Sequence, residues 1–252
     1  MVGRMMMPKH PIYGGADPRD LPAYPLTEVA HFLWITDAKV GRWAFGYEAN
    51  RKHQPVIRVA DPARRLLSFN NLAELHVLSA LRHHRVPLQR IRAGIKYLCE
   101  NVVGQDHPHP LLAQELHTDG LGIFIEYLGQ FINITKHGQG VLRQVFEAHL
   151  RRIERDPNEG TVVRLFPFVR PPERLEALEG LADERDRQPR AVTIDPVVSF
   201  GRPVVAGTRI PTVELANRFS AGEPMESLAA DLNLDQRTIE EAIRYQLATR
   251  AA

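Results

Sequence analysis

The sequence predicts a mainly α-helical protein with small β elements (an α+β chain). Apolar residues recur at spacings of three and four near both ends of the chain, which is typical of amphipathic helices. Short β-branched runs next to Gly and Pro predict brief strands between the helices. The 252 residues suffice for two or three domains, and a hydrophobic fraction of 44% with 25% charged residues is typical of a globular protein.

The N-terminal region has the order helix, turn, helix and two-stranded flap. The first helix presents one apolar face, formed by Leu26, Val29, Ala30 and Leu33. Thr36 or Asp37 can cap the second helix, and residues 54–59 and 64–69 have the composition of a strand pair. This order is typical of a winged helix-turn-helix, whose second helix enters the major groove of DNA while the wing follows the phosphates.

Two further helices are predicted before residue 103. Asn71 and Glu74 have the spacing of a capping box, which predicts that the third helix begins at Asn71. Pro87 separates it from a fourth helix. The runs YPLTEVAHFLWITDAKVGRWAFG and LLSFNNLAELHVLSALRHHRVPLQRIRAGIKYL resemble the DNA-binding domain of MerR-type regulators. Two features depart from that family: Trp34 stands at the turn where small residues are usual, and no long dimerising helix follows Leu98.

The charge is distributed unevenly along the chain. Residues 1–99 contain 15 Lys and Arg against 7 Asp and Glu, a net charge of +8, whereas residues 100–190 carry −4 and residues 191–252 carry −2. A basic first third indicates a polyanionic partner. Singly, each cation could belong to a solvated face; together with the fold, they predict a DNA-binding set formed by Thr36, Lys39, Arg42, Arg51, Lys52 and Arg58.

The middle of the chain predicts a small α+β module of a hairpin, a helix and a strand. Apolar residues alternate over 123–127 and again over 131–135, which predicts the hairpin. A helix is expected over 141–153 and a strand over 161–168. His107 and His109 could bind a metal, but no third ligand is evident and the flanking prolines favour a plain connector.

The C-terminal region predicts two short strands, Val192–Ile194 and Val204–Ala206, followed by three helices. The helices are expected over 212–220, 224–232 and 234–247, with Asp235 capping the last. Spacing alone is compatible with either a helix-turn-helix or a generic three-helix bundle. The runs IDPVVSFGRPVVAGTRIPT and AGEPMESLAADLNLDQRTIEEAIRY resemble a homeodomain-like domain of unknown function that recurs in antitoxins of type II toxin–antitoxin modules.

These regions predict five segments. They are a flexible arm 1–23, a winged helix-turn-helix domain 24–103, the α+β module 104–169, a linker 170–190 and a C-terminal helix-turn-helix-like domain 191–252. No apolar run approaches the roughly 20 residues of a membrane span, and the start of the chain lacks a secretion signal. With Cys99 as the single cysteine, a cytoplasmic protein without disulfides or a cysteine-rich zinc site is expected.

The chain shows no enzyme motif, and we predict no enzymatic activity and no cofactor. Across nearly its whole length the order of regions resembles a VapB-type antitoxin. That resemblance implies an adjacently encoded PIN-like ribonuclease toxin, operator DNA for autorepression and a homo-oligomer, without a membrane partner. Arg202 and Arg209 are predicted toxin-binding residues. Two alternatives remain: a stand-alone MerR-like regulator whose middle module senses a ligand, and an assembly protein without a DNA role.

Overall fold

A computed structural model describes residues 13–46, 54–83, 86–116, 120–132, 136–170 and 188–247. The chain is mostly helical with three two-stranded antiparallel sheets in this described part, which confirms the predicted fold class. Among the residues described, no helix is both long and apolar enough to cross a membrane.

The N-terminal region contains four helices and one small sheet. Strand β1 pairs antiparallel with β2, and the bounds are β1 Tyr24–Pro25, α1 Leu26–Leu33, α2 Asp37–Ala44, β2 Leu66–Leu67, α3 Phe69–His83 and α4 Leu88–Leu98. A π-helical turn, Cys99–Val103, extends α4.

The middle region contains two helices and one hairpin. Strands β3 and β4 pair antiparallel, and the bounds are α5 Leu121–Ile132, α6 Lys136–Leu150, β3 Ile153–Arg155 and β4 Val162–Leu165. The C-terminal region follows the predicted order, with β5 Val192–Thr193 paired to β6 Val204–Val205, then α7 Thr212–Ser220, α8 Met225–Leu232 and α9 Gln236–Leu247. The Asp235 carboxylate accepts the backbone N–H of Thr238 at 3.0 Å, as predicted for the cap of α9.

One hydrophobic core joins the N-terminal and middle regions. Leu78 and Leu81 of α3 and Phe124 and Phe146 of the middle helices are all fully buried in the same cluster. A second cluster lies mostly in the C-terminal region and includes Leu215, Leu228, Ile239 and Tyr245, with Val169 and Trp34 contributed by the other regions. The core therefore continues across the predicted boundary between residues 103 and 104; the segment limits themselves stay predictions.

The predicted hairpin over residues 123–135 is wrong, because residues 123–132 belong to α5. Residues 133–135 of that prediction lie outside the described part of the chain. The run of β-branched and aromatic residues suggested a strand, but its apolar residues also fit a helical spacing. The residues that share this spacing are all buried: Leu121, Phe124, Ile125 and Leu128. The helix is favoured over the strand because it buries these side chains in the shared core.

The middle region is thus a helix pair followed by a hairpin. The helix predicted over 141–153 is present but spans Lys136–Leu150, so Ile153 begins β3 instead of ending the helix. The strand predicted over 161–168 is present as β4.

The predicted wing is also corrected. Residues 54–59 form no strand, and β2 pairs with β1 instead of with them. The turn closes through an isolated bridge between Asp61 and Leu66. Val56 and Ile57 are buried because they cover the core beside α2, and the Val56 N–H donates to the Trp43 carbonyl at 2.7 Å.

Asn71 does not begin the third helix. That helix starts at Phe69, and Ser68 caps it by accepting the Asn71 N–H on Oγ at 3.2 Å. The Asn71 side chain is buried and its amide oxygen accepts the backbone N–H groups of Ala60 and Ser68. Asn71 therefore anchors the preceding loop.

The predicted flexible arm is anchored over residues 13–23, whereas residues 1–12 lie outside the described part. The Tyr13 hydroxyl donates to the Pro196 carbonyl at 3.1 Å, and the Ala23 N–H donates to the Leu67 carbonyl at 2.9 Å. Arg19 is buried and pairs with Asp17 at 2.6 Å. The absence of periodicity here reflects irregular backbone, which is nevertheless packed. Of the predicted linker 170–190, residues 171–187 lie outside the described part.

Side chains of α1 and its flanks connect the N-terminal region to the C-terminal one. The Trp34 Nε1–H donates to the Phe168 carbonyl at 2.6 Å, and its ring meets that of Tyr245 edge-on at 6.0 Å. The fully buried Tyr245 hydroxyl donates to the Phe32 carbonyl at 3.2 Å. Trp34 adopts a left-handed backbone (φ 59°), where glycine is usual, so its large side chain is explained by this contact.

Candidate nucleic-acid interface

The second helix of the N-terminal region is held in one rotation about its axis. Val40, Trp43 and Ala44 are buried, which leaves the opposite face of α2 to solvent. Lys39 and Arg42 lie on that outer face, three residues apart, and both are exposed. The periodicity of the buried residues therefore determines which cations are displayed.

Thr36 occupies the N-cap position of α2 with an extended backbone (φ −72°, ψ 149°). Its hydroxyl makes no capping hydrogen bond to α2, and the residue is exposed. The carbonyl of Thr36 accepts the N–H groups of Lys39 and Val40 at 2.9 and 3.1 Å. The predicted residue thus stands at the entry of α2, and its hydroxyl does not cap the helix.

A cleft of about 220 Å³ lies beside Lys39 and Arg42, and a third cation, Arg82, lines it as well. Its other walls are Ile35, Trp43, Ser79, Arg82 and Leu88. Burial lowers the pKa of the Arg82 guanidinium, and the nearby charge of Arg42 lowers it further. Arginine nevertheless stays protonated at neutral pH, so the cleft is bordered by three positive charges.

Arg65 flanks the other side of α2. It borders an open groove together with Arg42 and Gly41, and its guanidinium lies 4.4 Å from the centre of the Phe45 ring. Stacking of this kind holds a long cation in one place while leaving its donors exposed. Arg58 is exposed in the segment before the turn, whereas Arg51 and Lys52 lie outside the described part of the chain.

Sequence reasoning did not assign Arg65 or Arg82 to the site. They come from the turn before β2 and from α3, and only folding places them beside α2. A surplus of arginine was visible in both segments, but no spacing rule relates those segments to residues 36–42. The arrangement of cations around one exposed helix suits contact with phosphates, and an outward arginine can also pair with guanine in the major groove.

The predicted toxin-binding residues are placed elsewhere. Arg202 and Arg209 are both exposed; Arg202 lies just before β6 and Arg209 lies between β6 and α7. The Arg209 carbonyl accepts the Ser199 hydroxyl at 3.1 Å. These two arginines therefore belong to a surface formed by the C-terminal region and not to the cationic face of α2.

His109, one of the two histidines of the predicted connector, contacts acidic side chains. His109 bridges two carboxylates, with Nδ1 2.9 Å from Glu74 Oε2 and Nε2 3.3 Å from Asp20 Oδ1. Burial lowers the pKa of His109, but the bonds to Asp20 and Glu74 outweigh it and raise the pKa to about 9. His109 thus holds the connector to α3. Within the described residues, no group of His, Cys, Asp and Glu has an arrangement that could hold a metal ion.

Comparisons with known families match both ends of the chain. Residues 22–95 match the family described as "Putative DNA-binding HTH domain", and residues 192–246 match "Protein of unknown function (DUF433)". Over 246 aligned residues the chain is 27% identical to "Putative antitoxin VapB45" of Mycobacterium tuberculosis, covering 89% of this chain and 93% of that protein. The predicted resemblance to a VapB-type antitoxin is confirmed.

Two further proteins of Mycobacterium tuberculosis are similar over most of their length. "Uncharacterized protein Rv2308" is 27% identical over 242 residues, covering 92% of this chain and 93% of that protein. The crystal structure of Rv2018 superposes with a TM-score of 0.61 at 24% identity and covers 88% of this chain and 98% of that one. The fold of this chain is therefore similar to one that has been observed in a crystal structure. The helix-turn-helix match coincides with the region that carries the cationic face of α2.

Proposed function

We propose that this protein is an antitoxin that neutralises an adjacently encoded PIN-like ribonuclease toxin and represses its own operon by binding operator DNA. The observation that carries the DNA-binding part is the exposure of Lys39 and Arg42 on α2, within the region that matches a helix-turn-helix family. The similarity to VapB45 over most of both chains supports the antitoxin part. We propose a regulator in the cytoplasm, without enzymatic activity.

In this proposal α2 enters the major groove. Lys39 and Arg42 face base edges and phosphates, while Arg65 and Arg82 neutralise the backbone on either side. Each neutralised phosphate releases counterions. The logarithm of the binding constant therefore falls linearly with the logarithm of the salt concentration, with a slope of about −0.9 per phosphate contact. A homo-oligomer would place two such helices on a two-fold symmetric operator.

The test of DNA binding is a gel shift with the DNA upstream of the protein's own reading frame. We expect the double variant Lys39→Ala/Arg42→Ala to bind at least about tenfold more weakly and with a salt slope shallower by about 1 to 2. Lys96→Ala is the matched control, because Lys96 is 77% exposed on α4, away from the cleft. Undiminished binding by the double variant would contradict the assignment of α2.

The test of toxin binding is co-expression with the product of the neighbouring reading frame. A stable complex that suppresses cleavage of RNA supports the antitoxin function, and separate elution with unchanged cleavage contradicts it. Sedimentation of the purified protein at micromolar concentration checks the proposed homo-oligomer.

The alternative is a stand-alone regulator whose middle region senses a ligand. A polar open cleft of about 410 Å³ favours it as a second candidate, since its walls combine the N-terminal segment with the connector and the β3–β4 hairpin through Asp20, His107, Glu115 and Gly160. Release of operator DNA by a small polar molecule, in the absence of any toxin complex, would favour this reading over the antitoxin.

A further inference from the structure

The loop before β6 displays an aromatic side chain to solvent. Phe200 is 73% exposed and nearby Val197 is 52% exposed, the two largest values among large apolar side chains in the described part of the chain. Arg202 and Arg209 are exposed on the same loop system. We call these four residues the Phe200 knob. A single exposed apolar residue is ordinary, so the backbone beneath it is the more informative observation.

Three successive residues of this loop are left-handed. The φ angles are 47° at Ser199, 56° at Phe200 and 76° at Gly201. Residues with a Cβ seldom adopt this conformation, and a bulky aromatic residue there is an outlier. Such strain persists only where the surroundings enforce it, and it concentrates at functional sites.

The surroundings of the loop do enforce this conformation. The Tyr24 hydroxyl donates to the Gly201 carbonyl at 3.1 Å, and the Tyr13 hydroxyl donates to the Pro196 carbonyl at 3.1 Å. The Ser199 hydroxyl donates to the Arg209 carbonyl at the same distance. Position 201 admits only glycine, because a Cβ there would overlap the Tyr24 hydroxyl.

The knob is therefore a rigid display of one aromatic side chain with cations beside it. Asp195, at the base of the loop, is buried, accepts the Val197 N–H at 3.0 Å and pairs with Arg164 at 3.3 Å. Its charge is thus neutralised inside, and the outward charge of the knob is positive. Aromatic and arginine side chains are the residues that most often dominate protein–protein binding energy.

We propose that the Phe200 knob is the surface that docks the toxin, inserting Phe200 into an apolar cleft of the toxin bordered by carboxylates. This inference rests on the proposed antitoxin function. A second copy of this chain fits less well, because a two-fold contact between knobs would bring Arg202 and Arg209 against their own equivalents. Nucleic acid fits less well because Phe200 and Val197 would face phosphates.

The test measures the affinity of the purified full-length protein for the product of the neighbouring reading frame by titration calorimetry. Phe200→Ala is expected to weaken binding at least tenfold, whereas Ile123→Ala, an exposed apolar residue on α5 (43% exposed), should leave it unchanged. Phe200→Gly separates docking from folding. Glycine relieves the left-handed strain, so its melting temperature should match or exceed that of the wild type while binding is lost.

The cations are tested by salt dependence. The wild-type affinity should fall with added salt, and Arg202→Gln/Arg209→Gln should weaken binding and flatten that dependence, with Lys96→Gln as the control. If the wild type binds and the Phe200 variants bind equally well, this inference is overturned while the antitoxin function stands. If Phe200→Ala abolishes self-association and leaves toxin affinity unchanged, the occupant is a second copy and the inference is likewise overturned. Failure of the wild type itself to bind would instead refute the proposed function.

Discussion

At the residue scale, the His109 ring connects two carboxylates that no pattern in the sequence relates. Glu74 on α3 is 1% exposed, and burial raises the pKa of its carboxyl although the contact with His109 opposes that rise. Asp20 completes the cluster from the N-terminal segment, and its pKa is lowered by the hydrogen bond with His109. The histidine is thus the main partner of a buried carboxylate, and it ties three distant stretches of the chain together.

We expect His109→Ala to lower the free energy of unfolding at pH 7 by about 2–4 kcal/mol, because it removes a partner of a buried carboxylate. The pKa of His109 is raised to about 9. The stability that protonated His109 contributes is therefore fully present below about pH 6.5 and is lost as the pH rises through 9. Urea unfolding at pH 7 and pH 10 measures this, and the difference between variant and wild type should shrink at pH 10.

Asp20→Asn provides the control for this prediction, since the Asp20 side chain is 52% exposed and its loss leaves Glu74 paired. An effect of Asp20→Asn as large as that of His109→Ala would contradict the central role given to the buried pair.

At the element scale, the three C-terminal helices could be predicted from the sequence, whereas α5 could not. Pro211, Gly222 and Asp235 delimit α7, α8 and α9, and their predicted and observed bounds agree within two residues. The segment of α5 is rich in Ile and Phe, so local preference pointed to a strand. Its conformation is determined by packing against α4 and α6, and such long-range contacts cannot be read from the local sequence.

The helical state of α5 can be tested at the exposed Glu126. Proline at this mid-helix position removes an internal hydrogen bond and clashes with the preceding turn, so Glu126→Pro should destabilise the protein by about 3 kcal/mol or more. Glu126→Ala, which keeps the helix, should change stability little. Thermal melting of both variants measures this, and equal melting temperatures would argue against a helix over residues 121–132.

The same distinction applies to the candidate interface. Lys39 and Arg42 could be predicted because they alternate with the buried residues of one helix. Arg65 and Arg82 could not, because their proximity to α2 depends on how the turn before β2 and α3 pack against it. The exposure of Phe200 could not be predicted either. Its left-handed backbone depends on Tyr24, which lies far away in the sequence and binds the neighbouring Gly201.

At the scale of the whole molecule, the N- and C-terminal regions are joined through buried aromatic contacts. Trp34 and Tyr245 meet edge-on beside α1, and their side chains donate hydrogen bonds to the backbone carbonyls of Phe168 and Phe32. Aromatic side chains of this size dominate contacts between packed elements. The two hydrophobic clusters should therefore unfold together.

We expect Trp34→Gly to uncouple the clusters. Glycine suits the left-handed backbone of position 34, so the turn itself is preserved while the contact with the C-terminal region is lost. Scanning calorimetry should show one transition for the wild type and two for this variant. Trp34→Phe, which keeps a ring but removes the Nε1–H donor, should retain a single transition at lower temperature. A single unshifted transition in both variants would show that the Trp34 contact is not what couples the two clusters.

The fit between Tyr24 and Gly201 makes one residue of each matched region depend on the other. Any side chain at position 201 would collide with the Tyr24 phenol, and the phenol in turn supports the loop that carries Phe200. A recombination event that exchanged only one of the matched regions would have to supply both members of this pair or neither. Among relatives, loss of the glycine should accordingly accompany loss of the tyrosine, so that the two positions vary as one.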